Sequence, residues 1–252
     1  MEKREKLLQL ISFLDLTSLE STDNETTITE LVRKANEGYK GVHPAAVCVY
    51  PNYGNFVAQS VLKTIQTAVV GGAFPSGQTL TRAKISELET INTSTADEVD
   101  IVINRGEFLA GNYDYVSNEL NAMRAAVPNK LLKIILETGE LNTSVAIQKA
   151  SELAIDAGAD FIKTSTGKCA VGATPEAAEI MCDVIAKHAQ RTDKKIGFKP
   201  SGGIRTIESA LAYYDIVEKK LGTTWLQPAL FRIGASSLYA AIVNELKNGD
   251  KA

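Results

Sequence analysis

Eight short β-rich runs recur along the 252-residue chain, with helical periodicity between them, and this alternation is what most limits how the chain can fold. The runs are LISFLDLT (10–17), AAVCVYP (45–51), TAVVGGAF (67–74), EVDIVIN (98–104), LKIILETG (132–139), DFIKTST (160–166), KIGFKPS (195–201) and LFRIGAS (230–236). After the sixth run, Thr174 is placed to cap a helix whose first position is Pro175. After the seventh, Ile207, Ala210, Leu211, Tyr214 and Val217 recur at helical spacing until Gly222 stops the pattern. A helix near 143–155 is closed by Gly158. Eight such units in about 250 residues predict a closed (β/α)8 barrel. We expect it to form one domain over residues 1–252, with a short N-terminal helix. An open doubly wound sheet is the alternative, but it normally carries a GxGxxG turn after its first strand. LDLTSLEST has none.

The composition, 44% hydrophobic and 23% charged, is that of an ordinary soluble globular protein. A net charge of −3 leaves no basic excess for nucleic acid or an anionic membrane. Cys48, Cys169 and Cys182 lack CxxC spacing, and their odd number argues against a disulfide framework. MEKREKLLQLISFLDL has too short an apolar stretch, and no cleavage site, for a signal peptide. No run of 18 apolar residues is present. The expected location is cytoplasmic.

Side chains alternate between the faces of a strand. If Val99, Ile101 and Ile103 meet the helices, Asp100 points into the barrel. The same parity turns Asp15, Thr17, Lys133, Glu137, Lys163 and Lys199 inward. Three lysines and three acids then share one interior, and such balance is needed because unpaired buried charge costs several kcal/mol. Taken singly, Lys133 and Glu137 read as strand-end residues whose charged heads reach solvent. Lys163 and Lys199 resist that reading, because both lie toward the C-terminal ends of adjacent strands, where barrel active sites are built. Amines on neighbouring strands can lie roughly 5 Å apart. At an effective dielectric near 20 they repel by about 3 kcal/mol, roughly 2 pKa units. One amine then keeps an appreciable neutral fraction near pH 7, which a Schiff-base nucleophile needs.

The seventh strand runs into PSGGIRT (200–206) and the eighth into IGASS (233–237), the two loops that often bind phosphate in barrels. Gly202 and Gly203 allow close backbone approach, and Ser236 and Ser237 can donate hydroxyls. Lys168 could reach the same anion, though alone it reads equally as a solvated loop lysine. GxxxxGK[ST] is absent. The two histidines, His43 and His188, carry no HExxH pattern, so a metal site is not expected. Cys48 shares the inward parity but reads as a structural core thiol. No GxSxG elbow marks a serine hydrolase.

Six motifs, LDLT, ADEVDIVIN, LETGEL, FIKTSTGK, GFKPSGGIRT and FRIGASSL, occur in that order, and from about residue 10 to 247 the chain resembles the deoxyribose-phosphate aldolase family. The resemblance implies a metal-independent class I aldolase on a (β/α)8 barrel, usually dimeric, with no cofactor beyond a covalent Schiff base. Its substrates would be 2-deoxy-D-ribose 5-phosphate, D-glyceraldehyde 3-phosphate and acetaldehyde. Carried over, Lys163 forms the Schiff base, Lys199 lowers its pKa, Asp100 relays protons with Lys199 and a water, and Asp15 orients the relay. The phosphate pocket falls on Gly167, Lys168, Gly202, Gly203, Arg205, Gly234, Ser236 and Ser237, with Thr17 and Thr166 joining the substrate-binding set. Two features depart from the family. Some members end in a tyrosine on a mobile tail that assists proton transfer, whereas this sequence ends LKNGDKA, so slower turnover is expected. GGAFPSGQT, after the third strand, is shorter than its counterparts. The alternatives are another Schiff-base sugar-phosphate aldolase of the transaldolase kind, or a sugar-phosphate-binding barrel without turnover. Retention of both lysines and Asp100 speaks against the last.

Overall fold

The computed structural model describes residues 3–250. Its first element is a helix, Lys3–Ser12, which buries Leu7, Leu10 and Ile11. That i, i+3, i+4 spacing is a helical stripe. The first β-rich run is therefore divided: residues 10–12 finish the helix, and strand β1 is Leu14–Thr17. The other strands are β2 (Ala46–Val49), β3 (Gln66–Val70), β4 (Glu98–Val102), β5 (Leu131–Ile135), β6 (Phe161–Lys163), β7 (Gly197–Lys199) and β8 (Ile233–Ala235). Each lies inside its expected run except for the first residues of β3 and β5, which start one position earlier.

All neighbouring strands pair in parallel, in the order β7-β6-β5-β4-β3-β2-β1-β8. The ring closes between β7 and β8 through two isolated parallel bridges, Phe198 to Phe231 and Ser201 to Gly234. This is the (β/α)8 barrel that the alternation predicts. Helices connect the strands over the outside. The helix Pro175–Thr192 starts on Thr174, whose hydroxyl accepts from the amide of Ala177. The helix Ile207–Leu221 opens with a capping box on Thr206 and ends at Gly222, where φ is 86°. The helix Ser144–Asp156 is followed by Gly158 with φ 88°. Among the described residues no helix is long and apolar enough to cross a membrane.

Strand parity divides the buried residues into two sets. Leu14, Leu16, Val99, Ile101, Ile103, Ile134, Leu136, Ile162 and Phe198 belong to the large apolar layer shared with the helices. The barrel interior is lopsided. Ala46 and Cys48 on β2 and Ala68 and Val70 on β3 form a small apolar cluster of their own. Charged side chains, together with the Phe161 ring, occupy the other side of the interior, which holds the candidate site.

Candidate active site

Lys163 and Lys199 are partners in the β6–β7 register. Both amines donate to one oxygen, Oδ2 of Asp100, at 2.8 Å each. The other oxygen of Asp100 accepts from Lys133 Nζ at 2.9 Å. Lys199 also donates to Oδ2 of Asp15, and Oδ1 of Asp15 accepts from Arg232 at 2.7 Å. Arg232 reaches Oε1 of Glu98 at 2.8 Å, and Lys133 reaches Oε2 of Glu98 at 2.5 Å. None of these seven residues is more than 3% exposed.

Sequence reasoning had placed the charged ends of Lys133 and Glu137 in solvent. Both are fully buried. Lys133 stays inside because Asp100 and Glu98 on the neighbouring strand compensate its charge. Glu137 has left-handed backbone (φ 58°) just past the end of β5. Its carboxylate accepts from the hydroxyl of Thr166 at 2.5 Å and from the Thr166 amide at 3.2 Å. Arg105 Nη1 lies 3.5 Å from the same carboxylate and 2.7 Å from Glu140. Glu98 and Arg232 escaped the sequence reading altogether. Glu98 has the parity of Asp100, and Arg232 that of Gly234, so alternation alone could have found both.

Burial comes first in pushing the Lys163 amine below the ordinary lysine value; Asp100 opposes it, and the Lys199 charge adds to it. The ranking corrects the expectation that repulsion between the lysines leads. Burial also disfavours the Lys199 ammonium, but Asp100 and Asp15 outweigh it and hold that group protonated, above the usual range. Asp15 and Asp100 are buried, which favours their neutral forms, yet the surrounding cations hold both well below the usual carboxylate range. The result is one poorly held proton, on Lys163, beside a firmly held one.

Above this cluster a cavity of about 180 Å³ opens at the C-terminal ends of the strands. Thr17, Lys163, Thr166, Gly167, Lys168, Gly202, Gly203, Arg205, Gly234 and Ser236, all picked out in the sequence, line it. Lys199, Asp100 and Asp15 lie beneath it. Ser237 is the exception: it is the N-cap residue of the helix Leu238–Gly249 and does not line the cavity. Gly167, Gly202 and Gly203 all have positive φ (79°, 86° and 80°), and the two loops pass so close that a Cβ on Gly202 would lie 3.3 Å from Gly167 Cα. Gly234 serves a different need. A Cβ there would sit 2.7 Å from Ser201 Cβ and 3.2 Å from Lys199 Cε, so its absence makes room for Lys199. Lys168 pairs across the cavity with Glu20, a residue not picked out in the sequence, at 3.1 Å.

Cys48 is fully buried in the apolar cluster, and burial raises its thiol pKa. The rim segment after β3 is pinned by the buried Lys84, which donates to the carbonyl of Gly77 at 2.6 Å and to Glu119 at 2.8 Å. Arg105 adds bonds to the carbonyls of Pro75 and Ser76. At the C-terminus, Asp250 pairs with Arg4 and Lys40, each at 2.6 Å, beside the start of the barrel. Lys251 and Ala252, the last residues of the tail that lacks a tyrosine, lie outside the described residues.

The family described as DeoC/LacD family aldolase matches residues 9–241. The chain belongs to this aldolase family. Deoxyribose-phosphate aldolase from Agrobacterium fabrum is 41% identical over 255 residues, covering 99% of this chain and 95% of that protein. The human deoxyribose-phosphate aldolase is 40% identical over 255 residues, covering 95% of this chain and 80% of its own length. Among solved structures, the aldolase QR15 superposes with a TM-score of 0.78 at 31% identity, covering 96% of this chain and 98% of that one. Membership of an aldolase family accords with a buried amine facing a cavity whose wall is built from loop amides and hydroxyls.

Proposed function

We propose that this aldolase cleaves 2-deoxy-D-ribose 5-phosphate reversibly to D-glyceraldehyde 3-phosphate and acetaldehyde, through a Schiff base on Lys163. One observation carries the reading: of the seven residues in the buried ionic cluster, Lys163 alone lines the cavity, and its amine is the one whose proton is held below the ordinary lysine value. Only a neutral amine attacks a carbonyl.

In the cleavage direction, the Lys163 amine adds to C1 of the open-chain aldehyde, and loss of water leaves an iminium. Removal of the C3 hydroxyl proton breaks the C2–C3 bond. Its electrons flow into the iminium as an enamine, and the triose phosphate leaves as an aldehyde. Protonation of the enamine carbon and hydrolysis release acetaldehyde and restore the amine. Asp100 touches both amines, so it is positioned to relay protons between them, through a water where the substrate lies out of reach. Lys199 supplies the firmly held ammonium, and Asp15 fixes its orientation. The phosphate would be received by the loop amides of Gly167, Gly202, Gly203 and Gly234, with Ser236, Lys168 and Arg205. The iminium is the electron sink, so no metal is required.

Borohydride reduction in the presence of acetaldehyde tests this directly. The expected product is a two-carbon adduct on Lys163, together with release of acetaldehyde from 2-deoxyribose 5-phosphate that survives a strong chelator. An adduct on Lys199 would reverse the roles, and chelator-sensitive activity restored by zinc would remove the class I assignment.

A further inference from the structure

The buried cluster contains four bases, Lys133, Lys163, Lys199 and Arg232, and three acids, Asp15, Glu98 and Asp100. Fully ionised, it carries one surplus positive charge among residues no more than 3% exposed. The hydrogen bonds show where that surplus falls. Arg232 takes Oδ1 of Asp15 and Oε1 of Glu98. Lys133 bonds Oδ1 of Asp100 and shares Oε2 of Glu98 with Arg232, which lies 3.3 Å from that oxygen. Lys133 also lies 3.7 Å from Oδ2 of Asp15, and Lys199 bonds Oδ2 of Asp15 and Oδ2 of Asp100. Each of these three bases holds at least two carboxylates. Lys163 holds one, through an oxygen it shares with Lys199.

Arg232 does not line the substrate cavity. It lies at the opposite end of the barrel, where it and Glu98 border a separate opening of about 610 Å³ with Ser12, His43, Gln66 and Pro228. Its guanidinium rests over the Phe161 ring, 5.7 Å from the centroid, and donates to the carbonyl of Pro228. A Cβ at Gly197 would lie 2.4 Å from that ring, so the glycine keeps room for the ring beneath the arginine. The site for a cation at this end is thus built deliberately, far from any substrate contact.

We propose that Arg232 is a positioning residue for the reaction: by engaging Asp15 and Glu98 it keeps the interior one positive charge in excess and leaves Lys163 as the base that gives up a proton. The inference rests on the Schiff-base reading above. Around Lys163, β1 contributes Asp15, β2 the neutral Cys48, β3 only Ala68 and Val70, β4 Glu98 and Asp100, β5 Lys133 and β7 Lys199, with Arg232 just ahead of β8. Beyond the strand ends, the buried Glu137 is offset by Arg105, 3.5 Å away. Glu20, Lys168 and Arg205 line the cavity on its open side, and Glu20 and Lys168 offset one another.

The test is the pH profile of borohydride trapping with acetaldehyde, measured on the full chain and on variants whose fold is checked by circular dichroism. Arg232→Met removes the surplus, so its profile should move to higher pH by a unit or more. That corresponds to about a tenfold loss of trapping at a fixed pH below the midpoint. Glu98→Gln increases the surplus and should move the profile to lower pH. The double variant restores the count and should return toward the parent, and Arg232→Lys should stay close to it. A merely structural residue would not give shifts of opposite sign. A folded Arg232→Met with an unmoved profile overturns the inference, as do single variants that shift in the same direction. If Arg232→Met does not fold, Glu98→Gln decides, and an unmoved profile there overturns it. Absence of an adduct in the unaltered protein overturns the Schiff-base reading and this inference with it, whereas normal parental trapping with unmoved variants overturns this inference alone.

Discussion

Lys163 and Lys199 face each other across β6 and β7, and both amines bond the same oxygen of Asp100 at 2.8 Å. One carboxylate oxygen cannot neutralise two ammonium groups. Asp15 supports Lys199 in addition, and nothing comparable supports Lys163. The two lysines therefore part in character although they are neighbours.

Replacing Lys199 by methionine should raise the Lys163 midpoint, since Asp100 Oδ2 would then serve a single amine and the neighbouring charge would be gone. The neutral fraction grows as pH rises through the midpoint, so the trapping profile should move to higher pH and activity at neutral pH should fall. Because burial is the leading cause of the Lys163 shift, part of the depression should remain. A profile that returns fully to the solvent lysine value would contradict that ranking.

Gly234→Ala should damage turnover more than binding. The new methyl would press on Ser201 Cβ and Lys199 Cε, at 2.7 and 3.2 Å, and push the ammonium off its two carboxylates. Displacement of a reacting group by about 1 Å can cost on the order of a hundredfold in rate. We expect kcat to fall at least tenfold while KM changes little, which steady-state kinetics would read. A change confined to KM would place the glycine's role in substrate binding alone.

The polar wall of the cavity should act on phosphorylated substrates specifically. Losing one hydrogen bond to a charged group costs about 1.5–3 kcal/mol, roughly ten- to a hundredfold in affinity. Ser236→Ala and Lys168→Ala should raise KM for 2-deoxyribose 5-phosphate by that order and leave free deoxyribose almost unaffected. Ser237→Ala, outside the wall, should do much less. Equal weakening of both substrates by Ser236→Ala would remove the phosphate assignment.

Acid should destabilise the barrel through Asp15 and Asp100. Both are held below their ordinary values in the folded state, so their contribution is fully present above about pH 4 and is lost as pH falls further. Urea midpoints should drop steeply below that point. Asp100→Asn strands buried ammonium groups and should cost about 3–5 kcal/mol at neutral pH, while flattening the acid dependence. A variant with the parent's acid profile would show that other carboxylates govern it.

The strands and their faces were legible in the sequence because each inward charge interrupts an apolar alternation: Asp100 between Val99 and Ile101, Lys163 after Ile162, Lys199 after Phe198. Partnerships were not. Lys133 and Glu137 read as solvent-seeking because the groups that make their burial tolerable, Glu98 and Asp100 for one and Thr166 for the other, lie on other strands or beyond another strand. Arg232, two residues before a glycine and at a strand entrance, gives no local sign that Asp15 will meet it from 217 positions away. The helical start of the first run was hidden because only Ser12 and Phe13, with no Gly or Pro, separate Leu7, Leu10 and Ile11 from the strand.

The ring of strands is weakest where β7 meets β8, joined by two isolated bridges rather than a continuous ladder. Lys199 crosses that seam, rooted in β7 and anchored to Asp15 on β1, with Gly234 of β8 thinned to let it pass. The side chain that tunes the proposed nucleophile is thus also a rivet of the barrel wall. Swapping it for a shorter or neutral residue should speed hydrogen exchange at the amides of Phe198, Arg232 and Gly234, which carry the seam's backbone bonds. Chemistry and closure are welded together here, so this position cannot be altered for one without loosening the other.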